Sequence, residues 1–163
     1  MSHVPPGAAA LTAYISPRAC SEAIAWYVEV LGATENGERY VDPDGRIGHA
    51  TLDFGGSTLM LSDGYPDYGA AAPTEGNRTA TFALQVYVPD ADATVALAQR
   101  RGAVVQRPVE EQFHGARMGT LIDPFGVRWM VSTHVRDVSD AELAEAARAF
   151  ADTGAAPGSV DPG

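Results

Sequence analysis

The chain contains no lysine, since all eleven of its basic residues are arginine. That excludes a lysine Schiff base and the lysine of a phosphate-binding P-loop. Cysteine is reduced to Cys20, so no disulfide can close within the chain. With no base or redox partner adjacent in sequence, Cys20 is expected to be a small buried hydrophobe on a helix. No apolar run approaches the roughly eighteen residues of a membrane-spanning helix. The N-terminus also lacks the basic-then-apolar pattern of a secretory signal, so a cytoplasmic protein is expected. Positive charge is scarce, and the formal net charge is -10. Without a basic cluster to override that field, phosphate backbones are repelled, and neither nucleic acid nor a membrane is an expected partner. No glycine-rich strand-to-helix loop is present to hold a nucleotide-like cofactor, and no cofactor is expected.

What the chain does have is a repeat. "GHATLDFGGSTLMLS", residues 48–62, is matched seventy positions later by "MGTLIDPFGVRWMVS", residues 118–132. The same offset aligns Leu31-Gly32-Ala33 with Arg101-Gly102-Ala103, and Asp53 with Asp123. Upstream of each glycine lies a helical stretch. The first is read as opening at Ser16-Pro17, with Cys20, Ile24, Tyr27, Val28 and Leu31 on one face and Gly32 as its left-handed cap. The second opens at Asp90, carries Ala91, Val95 and Ala98 on one face, and stops at Gly102. Before each helix comes a β-type run, residues 11–16 and 81–88; after each come a short strand, a turn and a hairpin.

Each half therefore reads βαβββ. An α+β fold is predicted, in which two tandem βαβββ modules form a cup-shaped mixed sheet, with a C-terminal helix added. The predicted organisation is a flexible tail over 1–9, modules over 10–62 and 81–136, a linker over 63–80, a helix over 137–151 and a disordered tail over 152–163. The helix begins with a capping box, Ser139 to Glu142, and sets Leu143, Ala146, Ala147 and Phe150 along one side. The linker, rich in Gly, Pro, Ala and Tyr, reads first as a tether and second as a flap whose Tyr65 and Tyr68 pack on a bound ring.

The doubled unit, with "AIAWYVEVLGA", "VPDADATVALAQRRGAVV" and "DPFGVRWMVSTHV", resembles the vicinal oxygen chelate superfamily of glyoxalases, bleomycin-resistance proteins and extradiol dioxygenases, in its PhnB-like branch. The resemblance spans roughly residues 10 to 136. It implies a homodimer with pockets at or near the subunit interface. It also implies a divalent metal held by His and Glu from the first and last strands of each module. The matching positions here are Thr12, with Ala13 one register away, Met60, Ala83 and Met130. A catalytic divalent site needs at least three N or O donors, which this set does not supply, so the inherited metal site is expected to be absent.

The remaining candidates follow from strand parity and residue type. Tyr14, Met60, Gln85, Tyr87, Arg128 and Met130 are predicted to face the cup, with His49 from its strand and Phe113 and His114 from a loop. Gln85 stands in an otherwise apolar run, so its amide must find backbone partners or face a ligand cavity. His49 alternates with Thr51 and Asp53 on one face. Glu111 and His114 have Glu-x-x-His spacing, but Pro108 and Gly115 point to a loop rather than a metal-binding helix. His3 and His134 read as exposed, and Trp26, Tyr27 and Trp129 as core. An aromatic and Met-rich cup with few polar anchors suits a small aromatic or amphipathic ligand, captured without a metal. The alternative is a lyase or isomerase using His114, His49 or Glu111 as acid or base, or a relocated metal site built from those three.

Overall fold

The computed structural model of the protein describes residues 3–5 and 8–153. Of the tail predicted over 152–163, residues 152 and 153 instead end the C-terminal helix, and the remainder lies outside the described residues. The first module contains β1 (Ala13–Ile15), α1 (Cys20–Leu31), β2 (Thr34–Glu35), β3 (Tyr40–Val41), β4 (Ile47–Asp53) and β5 (Thr58–Leu61). The second contains β6 (Leu84–Tyr87), α2 (Ala91–Arg100), β7 (Val104–Glu111), β8 (Ala116–Ile122) and β9 (Arg128–His134), followed by α3 (Asp140–Thr153). The second module is βαβββ as expected. In the first, the strand after the helix is broken into β2 and β3, because a turn at Gly37, with φ 83°, interrupts it.

Each module keeps its own open sheet, ordered β1-β5-β4-β2 with β3 also on β4, and β6-β9-β8-β7. In both, the strand before the helix pairs in parallel with the last strand of the module. The repeat is thus visible in the register: Tyr14 lies opposite Met60, and Gln85 opposite Met130. On the opposite parity, Ile15, Leu59, Leu61, Val86, Trp129 and Val131 join α1 and α2 in one hydrophobic cluster spanning both modules.

The expected start of α1 is corrected. The helix begins at Cys20, after Ala19 in the left-handed region at φ 45°, with no local side-chain cap. The first amide is instead taken by Asp63, whose Oδ1 accepts from Cys20 N at 3.0 Å while Oδ2 accepts from Ile47 N at 2.7 Å. A capping group more than forty residues away replaces the Ser16 hydroxyl, which lies 3.5 Å from the Ser62 hydroxyl. Val28 is also corrected: it is exposed, and Trp26 and Val30 complete the buried stripe. Cys20 is buried as expected, and burial, reinforced by Asp63, pushes its thiol up to about 12, so it stays protonated and inert. α2 is capped by Asp90, whose Oδ1 accepts from Ala93 N at 2.9 Å. The capping box of α3 forms in both directions between Ser139 and Glu142. On that helix Leu143 and Ala146 are half-buried.

Buried and half-buried side-chain hydrogen bonds tie the modules and the linker together. Trp26 Nε1 donates to Arg101 O at 3.1 Å. Arg18 donates to Thr74 O at 2.8 Å and to Pro124 O at 2.5 Å. Tyr27 donates to Asp123, which is 3% exposed and also accepts from Trp129 Nε1 and from the amides of Phe125 and Val127. Its repeat mate Asp53 makes the same turn with the amides of Gly55 and Gly56, but it is only half-buried. Duplication thus supplied a hairpin carboxylate twice, and packing turned one copy into a core bond.

Candidate functional site

On the face of the first sheet turned away from the core, Tyr14 is exposed and His49, Thr51 and Met60 are half-buried. The expected alternation of His49 with Thr51 is present, and Thr51 lies opposite Met60. His49 Nδ1 is 3.2 Å from the Tyr14 hydroxyl, and Nε2 is 3.2 Å from Thr51 Oγ1. The Tyr14 and His49 rings stand 5.7 Å apart at 41°. A phenol, an imidazole and a hydroxyl thus form a chain through which a proton could be relayed.

On the equivalent face of the second sheet, Gln85 donates from Nε2 to Ser132 Oγ at 3.2 Å. The partner of the Gln85 amide is therefore a side chain rather than the backbone, and Ser132, fully buried, was not visible as a site residue in the sequence. Arg128 donates to Gln106 Oε1 at 2.9 Å, and Gln106 in turn donates to Arg78 O at 2.8 Å. Tyr87 is largely exposed. Phe113 and His114 lie together, with rings 5.5 Å apart, in the turn between β7 and β8. Glu111 pairs across the ladder with Arg117 at the end of β7, so the Glu-x-x-His spacing is not helical.

Two concavities involve these faces. The seam between the modules encloses about 350 Å³, lined by Ala13, Phe54 and Leu59 from the first module and Leu84 and Trp129 from the second, with Gln85 and Tyr87 at its polar side. Phe54 and Trp129 lie 5.9 Å apart at 37°. Phe54 was missed because it belongs to the hairpin after Asp53, where its repeat mate is a proline. A second pocket of about 470 Å³ lies under the linker, between Tyr14, Pro73, Phe82 and Arg128. The linker is held over it by Arg18 and by Gln106, so it is a pinned strap rather than a bare tether. Neither concavity is lined by His49, Met60, Phe113, His114 or Met130.

The linker also carries Tyr65, whose hydroxyl donates to Asp42 Oδ2 at 2.5 Å, and this bond pushes the phenol up to about 12. The folded chain holds that proton more tightly than the unfolded chain. The bond therefore supports the fold fully below the ordinary tyrosine range and is lost as pH rises through about 12. In an alkaline titration followed at the tyrosinate absorbance, Tyr65→Phe is expected to remove a late step while leaving the ordinary ones. A titration curve unchanged by the substitution would contradict the bond.

Four positions correspond to the metal ligands of the resembling family, and their side chains decide the fit. Thr12, Met60, Ala83 and Met130 present one hydroxyl, two thioethers and a methyl group. These are not the N and O donors that a hard divalent cation requires, so the set does not fit the metal. Among the described residues, no three His, Cys, Asp or Glu side chains cluster to hold one ion. His49, Glu111 and His114 are accordingly not brought into a shared site.

The sequence profile of the Glyoxalase/Bleomycin resistance protein/Dioxygenase superfamily matches residues 13–131. The chain belongs to this superfamily. Among its relatives, the uncharacterized protein Rv0887c of Mycobacterium tuberculosis is 35% identical over 136 residues, covering 82% of this chain and 79% of the relative. The crystal structure of PA1353 from Pseudomonas aeruginosa is 28% identical with a TM-score of 0.59, covering 79% of this chain and 100% of that one. TnmS3 from Streptomyces sp. CB03234, described as an antibiotic binding protein, shares the fold at 23% identity and a TM-score of 0.53, over 82% of this chain and 97% of its own. Within the superfamily fold, the seam pocket is built from both halves of the duplication. Among the described residues, no helix is long and apolar enough to cross a membrane.

Proposed function

We propose that this superfamily member is a cytoplasmic binding protein that captures a small aromatic or amphipathic metabolite or drug, without a metal ion and without turnover. The seam pocket carries the reading. Its walls join aromatic and aliphatic side chains with the hydroxyls of Ser57 and Thr58, and Gln85 adds a polar anchor already oriented by Ser132. That composition orients an organic ligand while burying its apolar surface. The antibiotic binding described for TnmS3 supports the same class of ligand. The working unit is a homodimer: Phe82 and Tyr87 are both more than half exposed, and a second copy would cover such surface.

Native mass spectrometry with elemental analysis, on protein never exposed to chelator, tests this reading. The expected result is a dimer mass with a retained organic compound and less than about a tenth of an equivalent of any divalent metal. Because Trp129 lines the seam, the bound compound should quench its fluorescence. Phe54→Ala should weaken binding about tenfold, the loss of one aromatic contact of about 1 to 1.5 kcal/mol. A stoichiometric divalent ion with chelator-sensitive turnover would sink the proposal.

The Tyr14–His49–Thr51 chain favours a second reading, a metal-independent lyase or isomerase with His49 as acid or base. Turnover that is abolished by His49→Ala while seam binding survives would select it.

A further inference from the structure

A third concavity, of about 340 Å³, lies at the end of the first sheet and shares no lining residue with the seam. Four tyrosines, Tyr14, Tyr40, Tyr65 and Tyr68, line it together with the carboxylate of Asp42. They come from β1, β3 and the linker strap, three segments that only the fold brings together. We propose that this depression is a binding site for a small organic ammonium ion, held by the tyrosine ring faces and the Asp42 charge.

The local geometry is built around close approach. Tyr40 lies so near the backbone of Gly48 that a Cβ there would fall 2.5 Å from its Cδ1 and 2.9 Å from its Cε1. The same Cβ would lie 3.3 Å from Asp42 Oδ1, so ring and carboxylate converge over a residue that must have no side chain. The Tyr65 hydroxyl holds the other carboxylate oxygen at 2.5 Å, fixing its orientation. Tyr65 and Tyr68 meet at 61° with centroids 6.4 Å apart, forming an aromatic corner. Tyr14 is anchored by His49 and by Gly48 O at 3.4 Å.

The charge pattern selects a cation. Asp42 makes no ion pair among the described residues: it feels the charge of the neighbouring Arg46, but that guanidinium is paired with Asp44 at 2.7 Å. Arg46 also stacks its guanidinium 4.2 Å from the centre of the Tyr65 ring without lining the depression, so this ring already takes a cation on its face. A weakly hydrated alkylammonium gains from aromatic faces what it cannot gain from water, and each such contact strengthens as the site loses solvent. The chain's net charge of -10 raises the local concentration of any cation. A hard metal ion is not selected, because it needs several oxygen ligands and only Asp42 supplies a carboxylate to the lining.

The test uses the full chain and three probes: tetramethylammonium, choline and benzyltrimethylammonium. The comparator is 3,3-dimethylbutan-1-ol, which has the shape of choline without its charge. Binding is read by titration calorimetry and by NMR shifts of the tyrosine rings. At least one ammonium should bind about tenfold or more tighter than the neutral alcohol, consistent with a cation–π and charge contribution of one to two kcal/mol. Asp42→Asn and Tyr40→Leu should each weaken it about tenfold or more, while Trp129 fluorescence and any binding in the seam stay unchanged. Gly48→Ala, which displaces Tyr40, should abolish it. Equal binding of choline and the alcohol, or no binding of all three cations to a protein with native tyrosine shifts, would overturn the inference. Because the seam is read separately, failure here leaves the captured-ligand proposal standing, and the converse holds too.

Discussion

Asp123→Ala is expected to lower the unfolding free energy by about 3 to 5 kcal/mol, more than any change at the surface of this protein. The carboxylate is almost wholly buried and accepts four hydrogen bonds, from Tyr27, Trp129 and the amides of Phe125 and Val127. Alanine leaves all four donors without a partner in the core, and each buried orphan costs about 1 to 3 kcal/mol before the structure relaxes. For a domain of this size the loss corresponds to a fall in melting temperature on the order of 10 °C, measurable by calorimetry. Burial pushes this carboxyl above the ordinary range, and the donors from Trp129, Val127, Tyr27 and Phe125 oppose that shift. Tyr27→Phe, which removes one donor and keeps the ring, should cost only about 1 kcal/mol. A small effect of Asp123→Ala would show that water enters and replaces the carboxylate.

Arg18→Ala is expected to cost about 2 to 3 kcal/mol and to release the strap. Arg18 joins three parts of the molecule: its backbone amide donates to Phe125 O at 3.1 Å, and its guanidinium reaches the carbonyls of Thr74 and Pro124. Charge-assisted bonds of this kind contribute about 1.5 to 3 kcal/mol each, reduced here because the side chain is half-exposed. Pro73 also presses on Gly126, where a Cβ would lie 2.5 Å from Pro73 Cβ, so the strap rests on the second hairpin as well. Hydrogen exchange should therefore rise around residues 72 to 77 in the variant, with the amide of Asn77, bonded to Thr74 O at 3.1 Å, among the first to lose protection. Unchanged exchange there would mean that Pro73 packing alone holds the strap. Arg18→Lys should recover part of the loss, since an ammonium lacks the planar fork that spans two carbonyls.

How far the site could be read from sequence depended on the range of the interaction involved. Strand register sets Tyr14 opposite Met60, and Gln85 opposite Met130, on faces turned from the core. Parity alone could not tell which of them borders a pocket. The seam is made where two modules meet, and its aromatic walls include Phe54 and Trp129, residues that the sequence either left unmarked or assigned only to the core. The tyrosine cage shows the same limit. Tyr65 and Tyr68 were visible as linker aromatics, but Tyr40 and Asp42 joined them only because β3 folds back onto Gly48.

The sequence by itself determined what is local or periodic. The seventy-residue repeat, the two helix stops at Gly32 and Gly102, the Asp90 cap and the Ser139–Glu142 box all act within a few residues, and each formed as its chemistry dictates. Membership of the superfamily was legible for the same reason, since its signature is a repeated local grammar. The tertiary structure alone decided where α1 begins, because Asp63 caps it from across the module, and why Asp123 rather than Asp53 became a core acceptor. It also decided which aromatics surround a cavity. Those outcomes rest on contacts between segments far apart in the chain, whose partners are selected by packing and desolvation after the elements have formed, and no local pattern encodes them.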